Sequence, residues 1–320
     1  MAPHIGSALS ALNRNPEHLL TVCDGRTKTN EQFLKRVAAL QRGLERDFKA
    51  LPGERVLILC QNNELFLESF FAASLCGCVA APVNFRWSTD EACQSAAVLE
   101  PVVLFVDESL MTLGCSLIDA IQSIRGVICF GKPFRSRQME AEELIRRHFA
   151  DIPLVFDLAP RQPPDGVALV CFTSGTSGHS KGAKISHAAL VGQCLAKINM
   201  ANYTSGDVYL NAAPLFHIGG LSYAVTLLAV GARQVFLPRF TPTDMRQALR
   251  SAEVTATILV PAILAELVRI NEGERFSHVR SIVIGAGTPP RAQLEACRRL
   301  FPGAAILAAY GMTEAASTVA

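Results

Sequence analysis

The sequence predicts an α/β fold of two packed subdomains, residues 1–163 and 164–320, each built on a predominantly parallel sheet. Three observations carry this expectation. Strand-like and helix-like segments alternate along the chain, the pattern of parallel strands joined by right-handed crossovers. Half of the 320 residues are apolar, enough to fill one large core or two adjoining ones and too many for a disordered chain. The stretch 132–165 is less regular and ends in a proline-rich connector at 160–164, which divides the alternation into two halves.

The elements follow in order. Residues 56–60 form a β-type run, and Asn62 offers an N-cap for a helix over about 63–75 that Gly77 terminates. Strand resumes at 79–82. Ser88 and Glu91 have capping-box spacing at the head of a helix reaching about residue 99, and 102–106 is strand again. The charge-rich segment 139–148 reads as a helix. In the second half 167–172 is strand, 173–182 a loop, 183–185 strand-like, and a helix begins at Ser186. Strand 208–211, helix 219–230, strand 234–237, helix 243–252, strand 256–260, helix 262–270, strand 281–284, helix 290–301 and strand 305–309 complete the chain, with no fixed-period repeat.

Composition removes several function classes. The formal charge of +2 and the short, isolated basic runs disfavour nucleic acid as a partner. The ten cysteines are scattered, several inside apolar runs, with no C-x-x-C pair, as in a reducing compartment. The first 20 residues hold no continuous apolar stretch for a secretory signal, and the apolar runs near 65–83 and 221–230 are interrupted or too short to span a bilayer. A soluble intracellular protein is expected. Nothing in the sequence sets its oligomeric state.

Residues 168–182 (ALVCFTSGTSGHSKG) run from an apolar strand into a loop of small and hydroxylated residues closed by one lysine. Such a loop suits a nucleotide phosphate: Gly175, Gly178 and Gly182 let backbone N–H groups approach an anion, Thr173, Ser174, Thr176 and Ser177 add hydroxyl donors, and Lys181 adds charge. The spacing is not that of Walker A, because Lys181 follows Ser180 and precedes Gly182, nor that of a serine-hydrolase elbow, because His179 stands where the second glycine belongs. Three further segments follow predicted strands: 213–220, 285–288 and 310–314. In parallel sheets ligands bind beyond the carboxyl ends of the strands, so four such loops on one rim make a candidate site.

Residues 173–182 closely resemble the signature of the adenylate-forming superfamily of acyl-CoA ligases, luciferases and peptide-synthetase adenylation domains. One position departs: the superfamily usually has proline before the lysine, and here Ser180 frees the loop and aims Lys181 less firmly. Residues 214–220 (PLFHIGG) resemble its acyl-pocket motif, and 310–314 (YGMTE) match its Y-G-x-T-E motif at every defined position. The resemblance implies the fold of the superfamily's N-terminal domain, without its barrel subdomain and mobile C-terminal domain, and a reaction using ATP, Mg²⁺ and coenzyme A on a small carboxylic acid. It implies that Lys181 and the loop from Thr173 to Gly178 hold phosphates, and that Gly285, Ala286 and Gly287 line the adenine. Tyr310 would stack on the base with Gly311 and Met312 beside it, Thr313 would contact the phosphate region, and Thr176 and Glu314 would serve the metal. Phe216 and His217 would border the carboxylate, with Gly219 and Gly220 leaving room for the acyl body. Lys181, His217, Thr313 and Glu314 would carry the chemistry. Residues 214–220 offer no acid to hold a substrate amine, which disfavours an amino-acid substrate.

At finer grain, residues 84–88, 171–175, 215–221, 230–233 and 237–240 look most like o-succinylbenzoate-CoA ligases, the plant and algal branch of phylloquinone synthesis above all, which implies a chloroplast or peroxisome. Other aryl or fatty acyl-CoA ligases stay open as alternatives. The sequence given ends six residues after Glu314, ahead of the lysine-bearing C-terminal domain of the superfamily, so a fragment of a longer enzyme and a shortened non-catalytic nucleotide-binding paralogue are both open.

Overall fold

The computed structural model describes residues 3–133, 138–149, 152, 160–173, 180–251 and 253–319. Ahead of the predicted alternation, a 3-10 segment at Ile5–Arg14 leads into a hairpin of β1 (Leu19–Cys23) and β2 (Arg26–Thr29). Its two-residue loop is Asp24–Gly25, both at positive φ, as a tight hairpin with right-handed strand twist demands. Thr29 and Gln32 form a capping box for α1 (Asn30–Arg46).

The alternation then runs β3 (Arg55–Leu59), α2 (Glu64–Leu75), β4 (Val79–Pro82), α3 (Thr89–Ala97), β5 (Val103–Asp107), α4 (Met111–Ala120) and β6 (Gly126–Phe130). Ser88 and Glu91 form the expected capping box. The N-cap of α2 is Asn63 rather than Asn62: the Asn63 side chain accepts the Phe66 N–H, while the Asn62 amide is engaged elsewhere. The predicted helix 139–148 opens instead as β7 (Gln138–Glu140), which takes up the free edge of β6, and α5 (Ala141–Phe149) starts where that pairing stops.

Next come β8 (Val167–Thr173), β9 (Lys181–Ser186), α6 (His187–Ala201), β10 (Val208–Asn211), α7 (Ile218–Ala229), β11 (Arg233–Phe236) and α8 (Pro242–Ser251). The chain ends with β12 (Ala256–Leu259), α9 (Pro261–Arg269), β13 (Ser281–Ile284), α10 (Arg291–Leu300), β14 (Ala305–Ala308) and the short hairpin β15 (Gly311–Met312) and β16 (Ser317–Thr318).

Two seven-stranded sheets result, ordered β7-β6-β5-β3-β4-β8-β9 and β14-β13-β12-β10-β11-β1-β2. Every pairing is parallel except β8 with β9 and β1 with β2, each at a sheet edge. The sheets do not divide at the boundary expected between residues 163 and 164. β8 and β9 complete the first sheet from beyond it, and the N-terminal hairpin closes the second.

Helices α2 and α7 are buried on nearly every face, as helices caught between two layers must be. Phe66, Phe70 and Phe71 of α2 share one core with Leu221, Ala224 and Leu228 of α7 and with Ile5, Leu9 and Leu12 of the N-terminal segment. Each of the Phe, Leu and Ile side chains contributes about 1.5–3 kcal/mol of transfer free energy. Burying α2 also buries Glu68, whose carboxyl is pushed up by desolvation against the opposing pull of Arg36, 2.8 Å away. No described helix is long and apolar enough to cross a membrane, and all ten cysteines are free thiols.

Candidate active site

The parallel strands of both sheets put four loops at their carboxyl ends. β8 stops at Thr173, and β9 begins directly opposite at Lys181, so the two described ends of the phosphate-type loop are fixed by strand pairing. The Thr173 hydroxyl donates to the Lys181 carbonyl at 3.4 Å, and the Lys181 side chain is exposed. Ser174, Gly175, Thr176, Ser177 and Gly178 lie outside the described residues. Ser180, the departure from the superfamily pattern, hydrogen-bonds through its hydroxyl to Ser95 on α3. That tether supplies from a neighbouring helix some of the restraint that a proline ring would have given.

The second loop, 212–217, is held from the other sheet. Asn62, on the turn between β3 and α2, donates through Nδ2 to the Ala213 carbonyl at 2.8 Å and accepts the Leu215 N–H at Oδ1 at 2.9 Å. The Cys171 thiol of β8 lies 3.6 Å from the Phe216 carbonyl. Phe216 is buried, edge-on to Phe85 at 5.0 Å, with the Arg86 guanidinium over its face at 5.8 Å. His217 keeps an exposed edge at the N-cap of α7, and its side chain caps no helix N–H. Desolvation by the surrounding protein, then the charge of Arg86, lower its pKa below 6.5, so it stands at this rim as a neutral imidazole at pH 7. The first turn of α7 therefore presents its positive dipole end beside an uncharged hydrogen-bonding ring, a setting that favours a carboxylate.

The two glycines of this motif separate. A Cβ on Gly219 would meet nothing within 4 Å, whereas one on Gly220 would stand 2.2 Å from the Pro214 carbonyl oxygen. The space at Gly219 is open, whereas at Gly220 the loop backbone already fills it. Gly220→Ala is expected to lower unfolding free energy by about 1–3 kcal/mol through overpacking, and Gly219→Ala to leave it level or raise it by up to about 1 kcal/mol. Urea titrations of both variants check this, and equal costs would contradict the distinction.

At the third loop, Ala286 takes the left-handed conformation at φ 63°, while a Cβ on Gly285 or Gly287 would find only ordinary contacts beyond 3.5 Å. The fold does not require either glycine. At the fourth, Tyr310 follows β14 with 66% of its surface exposed, and the β15–β16 hairpin encloses a 3-10 turn at Thr313–Ala315. Gly311 is needed here, since a Cβ would meet the Ser317 carbonyl oxygen at 2.0 Å. The Gln193 side chain on α6 holds this hairpin, donating to the Ala315 and Thr318 carbonyls and accepting the Thr318 N–H. The turn packs against β8 and β9, which brings Glu314 to the strands carrying Thr173 and Lys181. Burial first, and Glu314 in addition, push the Cys171 thiol up to about 11.

Among the described residues no group of three or more His, Cys, Asp and Glu side chains is set to hold a metal. Glu314 offers one exposed carboxylate, which fits Mg²⁺, a cation that commonly takes one or two protein oxygens and completes its shell with phosphates and water. Thr173, Lys181, Thr313 and Glu314 are thus brought together, and Phe216 and His217 stand on the neighbouring loop. The sequence reading missed Asn62, Ser95 and Gln193 as positioning groups. The one signal for them was the run Gln61, Asn62 and Asn63, three carboxamides where a strand ends.

Residues 9–320 match the AMP-binding enzyme family. The chain belongs to that family. It is 37% identical over 327 residues to the 2-succinylbenzoate–CoA ligase, chloroplastic/peroxisomal, of Arabidopsis thaliana, covering 99% of this chain and 58% of that protein. It is 29% identical to the indoleacetate–CoA ligase of Aromatoleum aromaticum, over 81% of this chain and 50% of the relative. The structure superposes on anthranilate CoA ligase AuaEII in complex with anthranoyl-AMP with a TM-score of 0.89, at 19% identity, over 99% of this chain and 61% of that one. This chain therefore spans between 50% and 58% of the length of those two relatives.

Proposed function

We propose that this chain supplies the nucleotide- and acid-binding rim of an acid–thiol ligase. A carboxylate oxygen attacks the α-phosphorus of ATP, the bond from the α-phosphorus to the bridging oxygen breaks, and pyrophosphate leaves. The acyl adenylate then passes its acyl group to the thiol of coenzyme A, releasing AMP. The observation that carries this reading is the docking of the Thr313–Ala315 turn on β8 and β9, which gathers the lysine, the hydroxyl and the carboxylate of two distant motifs on one rim. No protein nucleophile is required, because positioning and charge neutralisation accomplish the first step. Bound Mg²⁺ would neutralise phosphate charge there, with Glu314 and Thr176 its protein donors.

The acid we favour is o-succinylbenzoate, on the 37% identity with the Arabidopsis ligase; that relative's name likewise suggests chloroplast or peroxisome. The second reading, another aryl or fatty acid, is favoured by the open space at Gly219 and by the indoleacetate ligase among the relatives. A panel of acids with pyrophosphate readout separates them. The nucleotide assignment is tested by Lys181→Ala, which removes a charge-assisted contact worth roughly 1.5–3 kcal/mol. Calorimetry should show MgATP binding weakened by about 10- to 150-fold with the melting temperature unchanged. Equal affinity in the two proteins would remove Lys181 from the phosphate site.

A further inference from the structure

Lys197 lies on α6 with 1% of its surface exposed, and among the described residues no carboxylate pairs with it. Its ammonium donates to Gln193 Oε1 at 2.9 Å and to Ser222 Oγ on α7 at 3.1 Å, and sits 5.0 Å from the centre of the Tyr223 ring. Gln193, one helical turn earlier, gives the rest of its amide to the β15–β16 hairpin. Its Nε2 donates to the Ala315 carbonyl at 3.1 Å and the Thr318 carbonyl at 2.8 Å, and its Oε1 accepts the Thr318 N–H at 3.2 Å.

An ammonium has three donors and no acceptor, so it can meet only the oxygen end of that amide. The nitrogen end must then face the two hairpin carbonyls. Without the ammonium, the oxygen end loses its one contact on α6 and only the hairpin's own groups hold the amide, whose flip would set oxygen against two carbonyls and nitrogen against an N–H. We propose that Lys197 is a positioning residue: by fixing the amide orientation of Gln193 it holds the β15–β16 hairpin, and with it Thr313 and Glu314, at the rim where β8 ends. The link to nucleotide binding rests on the proposed function; the hold on the hairpin does not.

Burial without a counter-charge lowers the Lys197 pKa to about 8. The titratable groups facing it are Cys194 on its own helix and Tyr223 on α7, both held neutral by burial, and towards the hairpin it meets the Gln193 amide. Above that pH the neutral amine gains a lone pair that can accept from Nε2, and Lys197 no longer adds to the hairpin's own preference for the observed orientation.

The test is amide hydrogen exchange of the ligand-free 320-residue chain, corrected for intrinsic rate, at the Thr318 and Val319 amides, whose acceptors are Gln193 Oε1 and the Tyr310 carbonyl. Lys197→Met should speed exchange at both by tenfold or more, with β12 and β13 unchanged. Gln193→Leu, which removes the amide itself and leaves the Lys197 ammonium to Ser222, should do the same. Wild-type hairpin exchange should rise between pH 7 and 9, and that rise should vanish in Lys197→Met. Unchanged hairpin exchange in both variants, or loss of protection spread over the whole sheet, would overturn the proposal. Calorimetry with MgATP should show a matching loss of affinity; a loosened hairpin in a protein whose wild type binds no MgATP would keep the positioning role and overturn the nucleotide reading.

Discussion

Acidification from pH 7 to pH 5 is expected to cost the fold about 4 kcal/mol, through two histidines that join the N-terminal segment to α6. The rings of His4 and His187 stack at 3.8 Å with an interplanar angle of 24°, and both residues are buried. Each Nδ1 accepts a backbone N–H, from Gly6 at 2.9 Å and from Ile5 at 3.3 Å, so each ring is neutral with its proton on Nε2. Protonating either would place a charge in an apolar layer, and protonating both would add like charges in contact. Burial is the main cause that lowers the pKa values, to about 4 for His4 and about 3 for His187, from 6.5.

The folded state therefore binds fewer protons than the unfolded chain below pH 6.5. Stability is complete above that value and is lost as the pH falls towards 4. Each histidine contributes about 1.4 kcal/mol per pH unit in that window, or about 2 kcal/mol by pH 5. The buried carboxylates whose pKa values are depressed, Glu64 and Asp207 among them, lose their share at lower pH, while the buried Glu68, held above the ordinary carboxylate range, acts in the opposite sense. Urea unfolding at pH 7 and pH 5 measures the slope, and His187→Gln should halve it. An unaltered slope in that variant would assign the acid lability to other groups.

The parts of the fold that were legible in the sequence are those whose cause is local. The capping box of Ser88 and Glu91 and the strand at 281–284 depend on residues within a few positions of each other. The pairing of β8 with β4 and of β1 with β11 depends on which edges stay free after everything else has packed, and no periodicity encodes it. The same difference divides the site. Lys181 opens the strand that follows the phosphate-type loop, and His217 and Glu314 stand on turns after strands, where residue type and spacing suffice to suggest them. Asn62 was read as a helix cap because its chemistry suits one, and only the neighbouring sheet, 151 residues away, gives its amide another use. Among the motif glycines, backbone contact explains Gly220 and Gly311, and nothing in the fold explains Gly219, Gly285 or Gly287. Those three are the ones whose absent side chains a ligand would notice.

Asn62→Ala is expected to lower unfolding free energy by about 2–5 kcal/mol, because it strands two buried backbone groups, each costing about 1–3 kcal/mol when left unpaired. The Ala213 carbonyl would lose the Nδ2 donor and the Leu215 N–H its Oδ1 acceptor, at residues that are themselves buried. Asn62→Asp keeps the acceptor and forfeits the donor, so it should fall between wild type and alanine. The position of the affected backbone also gives this loss a functional direction. It belongs to the loop that carries Phe216 and His217, whereas the lysine-bearing hairpin of β8 and β9 is registered by its own pairing. In the temperature range where Asn62→Ala is folded, acid binding should weaken by tenfold or more while MgATP affinity stays within twofold of wild type. Calorimetry with o-succinylbenzoate and with MgATP separately reads the two effects. A parallel loss of both ligands would show that Asn62 couples the sheets as a whole, and an unfolding free energy within about 0.5 kcal/mol of wild type would show that the inter-sheet bridge carries no net stability.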